Sequence, residues 1–367
     1  MKEKIKFFFA GDFCSKPSTS VITVSEELRQ IIQSCDLKVV NFEVPLKPDV
    51  KLPPQSRERF FQNDDAPEFL RSIGFNLFSQ ANNHAFDWGD EGFKKTKAAL
   101  GDAAFGAGTY EEAYKVKVVE VNGVKTGFFA LSFAAYKGVF DDVMNHEGLG
   151  CAYINDLRVN HDIMEAKKQV DYLFVLPHDG IEYIDVPTPE TIARYRDFID
   201  YGADGVIGTH PHCPQGWEEY KGKPIFYSLG NFFFNSKETV EYRADKPHWY
   251  EGLCVVMTIV DGKLSWDVVN TKNVDNVRAE INHAEDRDKQ NMQLCRYLME
   301  PEEYNRYFNK VCKKLGQVNE MKVIEKSVLK HWLDKIRRKE LTKDDGLVYL
   351  MKNDQRRNIL LRSIRFR

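Results

Sequence analysis

Gly205-Val-Ile-Gly-Thr-His-Pro-His-Cys-Pro-Gln215 is a short apolar run that delivers two imidazoles, His210 and His212, on either side of a proline. Pro211 fixes its own φ and biases the residues before it towards extended geometry, and in an extended chain residues i and i+2 point the same way. The expectation is a strand end at which both rings face one point, half of a site for a divalent ion. The competing reading is a polar turn whose histidines meet water. Other segments favour the first, because several close with a polar donor just past an apolar strand.

Residues 5–10 run into Gly11-Asp12-Phe13-Cys14, which places a carboxylate where a strand is expected to stop. The apolar run 37–40 ends in Asn41-Phe42-Glu43, and 75–79 leads to Gln80-Ala81-Asn82-Asn83-His84, followed by Asp87 and Gly89. Residues 172–176 end in Pro177-His178-Asp179-Gly180-Ile181-Glu182-Tyr183. Helices alternate with these strands. Thr23-Val-Ser-Glu26 reads as a capping box before an apolar face of Val24, Leu28, Ile31, Ile32 and Cys35. Asp65, Pro67 and Gly74 bound a second helix, and Thr188-Pro189-Glu190 opens another that closes at Gly202. Asn122-Gly123 and Asp261-Gly262 mark two antiparallel hairpins. Residues 225–234 form an aromatic strand broken at Gly230-Asn231, where Asn231 is either a turn amide or a donor behind a ligand. The pattern is mixed α/β, with polar strand ends meeting beyond the carboxyl edges of the sheet.

The chain has 367 residues, a formal net charge of −3 and 43% hydrophobic residues, ordinary values for a globular protein large enough to bury a sizeable core. Nothing in this balance calls for nucleic acid. The apolar run 7–10 is too short for a signal peptide, and no transmembrane segment is visible. Seven scattered cysteines without a Cys-x-x-Cys pair point to a reduced, cytoplasmic protein. The stretch 133–153 reads as an excursion over the site, with His146 at its surface. From about Asn273 the composition turns helical and charged, which divides the chain into a domain at 1–272 and a helical, basic extension at 273–367. Pro301 opens a helix with Tyr304, Phe308, Val311, Cys312 and Leu315 on its apolar face. Residues 321–367 hold 14 Lys and Arg against 6 Asp and Glu, a net +8. Such a tail suits an acidic partner, an anionic polymer or a membrane surface, or is simply a solvated face. Leu347, Tyr349, Leu350, Ile359 and Leu360 indicate that part of it docks.

Taken together, Asp12, Glu43, Asn83, His84, His178, His210 and His212 form a donor set for one or two divalent ions such as Mn, Zn or Fe. Two such ions can activate water towards phosphorus and neutralise the charge that develops. A neighbouring histidine can protonate the leaving oxygen.

Gly11-Asp12, Asn41-Phe-Glu43, Ala81-Asn-Asn-His84 with Asp87 and Gly89, Gly106-Ala-Gly108, His178-Asp-Gly-Ile-Glu-Tyr183, Gly208-Thr-His-Pro-His212 and Tyr227-Ser-Leu-Gly-Asn-Phe232 occur in an order that resembles the CapA-type capsule and poly-γ-glutamate biosynthesis proteins, over roughly residues 4–270. That family sits in the calcineurin-like metallophosphoesterase superfamily. The resemblance implies a four-layer α/β/β/α sandwich and a dinuclear site. By motif, Asp12 and His212 would serve the first metal, Glu43 would bridge, and Asn83, His178 and His210 would hold the second. His84 and Asn83 would be catalytic, with Asn82, Glu182 and Asn231 as substrate contacts. The implied activity is a metal-dependent phosphoester hydrolase in capsule or surface-polymer biosynthesis, acting on a phosphorylated small molecule or an anionic polymer beside other capsule proteins. The alternative is a non-catalytic, metal-containing assembly subunit for an anionic polymer. The chain departs from the superfamily at Cys14, where a histidine is usual, and at Glu43, where Asp is usual.

Overall fold

The computed structural model describes residues 4–52, 59–134, 138–141, 146–235, 247–315, 333–335, 337–338 and 354–365. Its strands in chain order are β1 (Lys4–Ser15), β2 (Thr23–Val24), β3 (Leu37–Phe42), β4 (Leu77–Ser79), β5 (Ala104–Phe105), β6 (Ala107–Gly108), β7 (Lys117–Val121), β8 (Val124–Ser132), β9 (Gly150–Cys151), β10 (Tyr172–His178), β11 (Gly205–Ile207), β12 (Trp217–Tyr220), β13 (Lys223–Phe226), β14 (Asn231–Asn235), β15 (Glu251–Val260), β16 (Lys263–Val274) and β17 (Arg278–Ile281). One sheet has the order β2-β17-β16-β15-β1-β3-β4-β5, with β14 also paired to β1; the other runs β12-β13-β11-β10-β8-β7.

Alternation along β1 separates two cores. Phe7 and Phe9 face the second sheet and pack with Phe128, Phe174, Leu176, Ile207, Val255 and Met257. Phe8 faces outward, against Leu28 and Ile32 of α1 (Glu26–Gln33) and Leu70 and Ile73 of α2 (Ala66–Ile73). The second sheet buries its outer face with Val159 and Ile163 of α5 (Arg158–Lys167) and Tyr195 and Phe198 of α6 (Pro189–Asp200). Helix, sheet, sheet, helix: the four-layer sandwich expected from the sequence is the architecture observed. Two further helices, α3 (Gly89–Leu100) and α4 (Tyr110–Ala113), follow β4 and β6. The Asn122-Gly123 and Asp261-Gly262 turns both form, with positive φ at each of the four residues.

Three local readings change. The first strand does not stop before Asp12 but continues to Ser15, exchanging β15 for β14 as its neighbour. Gly11 permits this close approach, since a Cβ there would lie 1.9 Å from the Gly230 carbonyl oxygen. The cap of α1 is Ser25, which accepts a hydrogen bond from the Leu28 N–H at 3.4 Å, while Thr23 is held in β2 by pairing with β17. Arg278–Ile281 adds a strand where charge alone suggested helix, because that stretch finds a sheet edge to pair with.

Beyond β17 lie α7 (Glu285–Met299), α8 (Pro301–Leu315) and a last helix, α9 (Asp354–Arg365). Ile359 is buried with Tyr304, Phe308, Cys312 and Ile184, so this part of the basic tail docks. Leu347, Tyr349 and Leu350 lie outside the described residues, as do 135–137 and 142–145 of the 133–153 excursion and the side chains of Leu315 and Leu360. His146 is exposed and stacks on Tyr110 with 3.7 Å between ring centroids. No helix among the described residues is long and apolar enough to cross a membrane.

Candidate metal centre

The parallel strands β1, β3 and β4 of one sheet and β10 and β11 of the other deliver their polar ends to the same rim. Asp12, Glu43 and His178 are fully buried there, with one ligand atom of each within 4.8 Å of the others. Asp12 sits at the register shift where β1 changes neighbours, which turns its carboxylate out of the ladder. His178 closes β10.

His210 and His212 join this cluster by a route the sequence did not indicate. Both have positive φ, 101° and 55°, so the His-Pro-His stretch is a left-handed turn and not an extended strand end. The preference of a residue before proline for extended geometry is overridden by surrounding bonds. Asp179 N–H donates to Thr209 O at 3.1 Å, Tyr183 N–H to Pro211 O at 2.7 Å, and His210 N–H to Asp12 Oδ2 at 3.2 Å. Backbone held in a sparsely populated region by so many bonds is a hallmark of functional loops. His212 then lies 3.5 Å from Asp12 and 3.4 Å from Glu43, and the His210 ring centroid is 4.8 Å from that of His178.

Amides hold these side chains in place. Asn83 Oδ1 stands 2.8 Å from His178 Nε2. Asn41, which the sequence reading passed over, donates to Asp12 Oδ1 at 2.7 Å and lies 3.2 Å from His178 Nδ1. Its signal was present: Asn41 is two residues before Glu43 on an apolar strand and shares its face. Asn82 is buried and donates to Asn41 Oδ1 and to the Phe42 carbonyl, and Asn231 links His212 Nδ1 to the Trp249 carbonyl. Both amides, expected as substrate contacts, make these bonds to the protein itself. His84 pairs through Nδ1 with Asp87 at 2.8 Å and meets Phe60 edge to face. Glu182 is half-buried, within electrostatic reach of Glu43 and His212. Cys14 is buried with Val44, Phe234 and Trp249, and burial together with the Glu43 charge pushes its thiol well above the usual range.

Burial raises the Asp12 carboxyl against the opposing pull of His212 and Asn41. Glu43 is raised well above the usual carboxylate range by burial and by the neighbouring charges of Asp12 and Glu182. His178 is held well below the usual imidazole range by burial and the adjacent histidines, and burial lowers His212 too. Neither Glu43 oxygen has a hydrogen-bond partner among the described residues. A buried carboxylate left in this way is costly, and beside neutral imidazoles, a second carboxylate and an amide oxygen it fits a divalent cation.

The profile described as "Bacterial capsule synthesis protein PGA_cap" matches residues 8–236. The "PGA biosynthesis protein CapA" of Bacillus subtilis (strain 168) is 30% identical over 224 residues, 58% of this chain and 57% of that protein. The "Capsule biosynthesis protein CapA" of Bacillus anthracis is 30% identical over 215 residues, 56% of this chain and 52% of that one. The chain thus spans about half the length of the curated relatives it matches. A solved structure described as a novel phosphatase from Mycoplasma pneumoniae aligns over 75% of this chain and 97% of its own, with a TM-score of 0.44 and 16% identity. The profile match takes in every strand end that supplies the buried donors, and on that match the chain belongs to the bacterial capsule synthesis family PGA_cap.

Proposed function

We propose that the protein is a divalent-metal-dependent phosphoester hydrolase serving capsule or surface-polymer biosynthesis, whether the polymer is poly-γ-glutamate or polysaccharide. The observation that carries this reading is the buried Asp12–Glu43–His178 cluster, with its ligand atoms within 4.8 Å of one another and Glu43 lacking hydrogen-bond partners among the described residues. Asp12, Glu43, Asn83, His178, His210 and His212 would hold one or two ions of Mn, Zn or Fe. A divalent cation, when bound, polarises a phosphoryl oxygen and makes nearby water acidic enough to ionise near neutral pH.

The chain's own groups do the rest. Asn41 fixes the Asp12 carboxylate, and Asn83 fixes the His178 ring. With Nδ1 of His84 facing Asp87, Nε2 is the ring atom left to hold a proton for the leaving oxygen. Glu182, on the partly exposed edge, would be a substrate contact. Asn82 and Asn231 act through Asn41 and His212 as positioning residues. The chemistry is assigned to residues 1–272, although the main sheet runs on through β17 to Ile281, and of the helical part α9 reaches the loop after β10 through Gln355 and Asp179. None of the seven cysteines forms a disulfide among the described residues, which supports a reducing, cytoplasmic setting. Its substrates would be a phosphorylated small molecule or an anionic polymer, handled beside other capsule proteins.

The full chain, assayed for bound metal and for turnover of p-nitrophenyl phosphate and its diester, is expected to carry one or two ions per molecule. His210→Ala should lose turnover by at least about a hundredfold with an unchanged circular dichroism spectrum. Bound metal without turnover on phosphoesters or acyl polymers would instead identify a non-catalytic assembly subunit.

A further inference from the structure

We propose that the last helix, α9, positions the metal centre: through Gln355 and Ile359 it holds the loop that follows β10, and with that loop His178 and the 209–212 turn. In sequence the loop is Asp179-Gly-Ile-Glu-Tyr-Ile-Asp-Val-Pro187, with apolar residues at 181, 184 and 186 among polar ones. The two kinds of side chain part company. The Tyr183 ring centroid lies 6.1 Å from that of His212, and the Glu182 charge is felt by Glu43 and His212. Ile181, Ile184 and Val186 are buried instead against Leu294 of α7, Tyr304, Phe308 and Cys312 of α8, and Ile359 of α9. The loop thus lies between the site and the three C-terminal helices.

Polar bonds fix both ends of it. At the far end Tyr304 OH donates to the Pro187 carbonyl at 2.7 Å, and Tyr307 OH to the Asp185 carboxylate at 3.0 and 2.9 Å. At the near end Asp179 is buried, and its carboxylate accepts from Gln355 Nε2 at 2.7 and 2.8 Å and from Thr191 Oγ1 at 3.1 Å. The backbone N–H of the same residue donates to Thr209 O at 3.1 Å. Asp179 follows His178 directly and is bonded to the residue before His210, so a side chain from α9 sets the peptide between two proposed ligands. Tyr183 N–H, bonded to Pro211 O at 2.7 Å, repeats the link beside His212. α9 is itself seated by Asn358 Nδ2 and Arg362 Nη2 on Glu190 Oε1, at 3.0 and 3.2 Å, and by the Arg362 guanidinium over the Phe308 ring at 5.2 Å. A buried carboxylate that loses its donor shifts to find another, and a ligand one peptide bond away shifts with it. Supports of this kind are worth about ten- to a hundredfold in metal affinity.

Gln355 is then a positioning residue; its effect on metal affinity rests on the metal-dependent reading, whereas its hold on the loop does not. In the full chain in EDTA, hydrogen exchange of the Asp179 and Tyr183 amides should speed up about tenfold on Ile359→Asp, which undocks α9. Gln355→Glu keeps the shape but sets a like charge against Asp179, and should speed the same amides about threefold. Amides of β15 should exchange as in the parent. Both variants should weaken Mn²⁺ binding about tenfold by titration calorimetry. Leu361→Asp puts the same charge on the same helix at a position 58% exposed, and should change neither readout. Gln355→Glu carries the test alone if Ile359→Asp does not fold. Unchanged exchange at both amides in a folded variant overturns the inference, and so does faster exchange with Mn²⁺ bound as tightly as in the parent. A parent that binds no Mn²⁺ takes down the metal reading alone, and the exchange rates then decide whether α9 holds the loop.

Discussion

Glu43 shows how one side chain can be wrong for the fold and right for a ligand. It is fully buried beside Asp12 and within reach of the Glu182 charge, which with burial push its carboxyl well above the usual range, an arrangement that costs stability in the metal-free chain. Glu43→Gln is therefore expected to raise metal-free stability at pH 8 by roughly 1 kcal/mol, read as a higher melting temperature in EDTA. The same change should weaken Mn²⁺ binding at least about tenfold by titration calorimetry. A variant that is less stable in EDTA and binds Mn²⁺ as before would remove Glu43 from the centre. Asn41 has the opposite character: its amide satisfies Asp12 and receives Asn82. Asn41→Ala should cost about 2 kcal/mol in urea unfolding, because it leaves a buried carboxylate short of a donor.

At the scale of elements, the helices that follow the sheets are tied to the site by polar bonds as well as apolar cover. Arg287 of α7 is buried and meets Glu251 of β15 at 2.7 Å. Burial alone would raise the Glu251 carboxyl, but its hydrogen bond with His248 and the Arg287 charge outweigh burial and hold it below the usual range. A carboxyl lowered in the folded state contributes stability that is present above its unfolded value and is lost as pH falls through the folded one. The melting temperature of the parent should thus fall more steeply between about pH 5 and pH 3 than that of Glu251→Gln. Glu251→Ala, which strands the Arg287 charge, should cost about 2 kcal/mol at pH 7. Farther along, α9 reaches the loop after β10: Gln355 Nε2 donates to both Asp179 oxygens at 2.7 and 2.8 Å, one residue from His178.

For the molecule as a whole, the proposed centre would link metal binding to folding, because two sheets meet at its rim. The donors come from residues 12, 43, 83, 178, 210 and 212, which an unfolded chain holds far apart. Mn²⁺ at about a hundred times its dissociation constant should stabilise the fold by about 2.7 kcal/mol, a rise of about 3 °C in melting temperature for a chain of this length. Asp12→Asn should abolish that rise. An equal rise in parent and variant would place the ion elsewhere.

Much of this architecture is legible in the residues. Period-two apolar runs, helix caps and hairpin turns are local signals, and each polar strand end follows from its own few neighbours. That is why a mixed α/β chain with polar donors at its strand ends could be read from the residues, while the α/β/β/α layering came from the family resemblance. What sequence could not supply is anything set by contacts between distant segments. Whether Asp12 ends a strand or kinks one depends on β14 arriving from residue 231, and Asn41 matters only because Asp12, Asn82 and His178 surround it. The positive φ of His210 defies the local preference before Pro211, since bonds from Asp12, Asp179 and Tyr183 to the 209–212 loop outweigh it. Local propensity is a small energy per residue, and it decides structure only where the packed surroundings do not ask for something else.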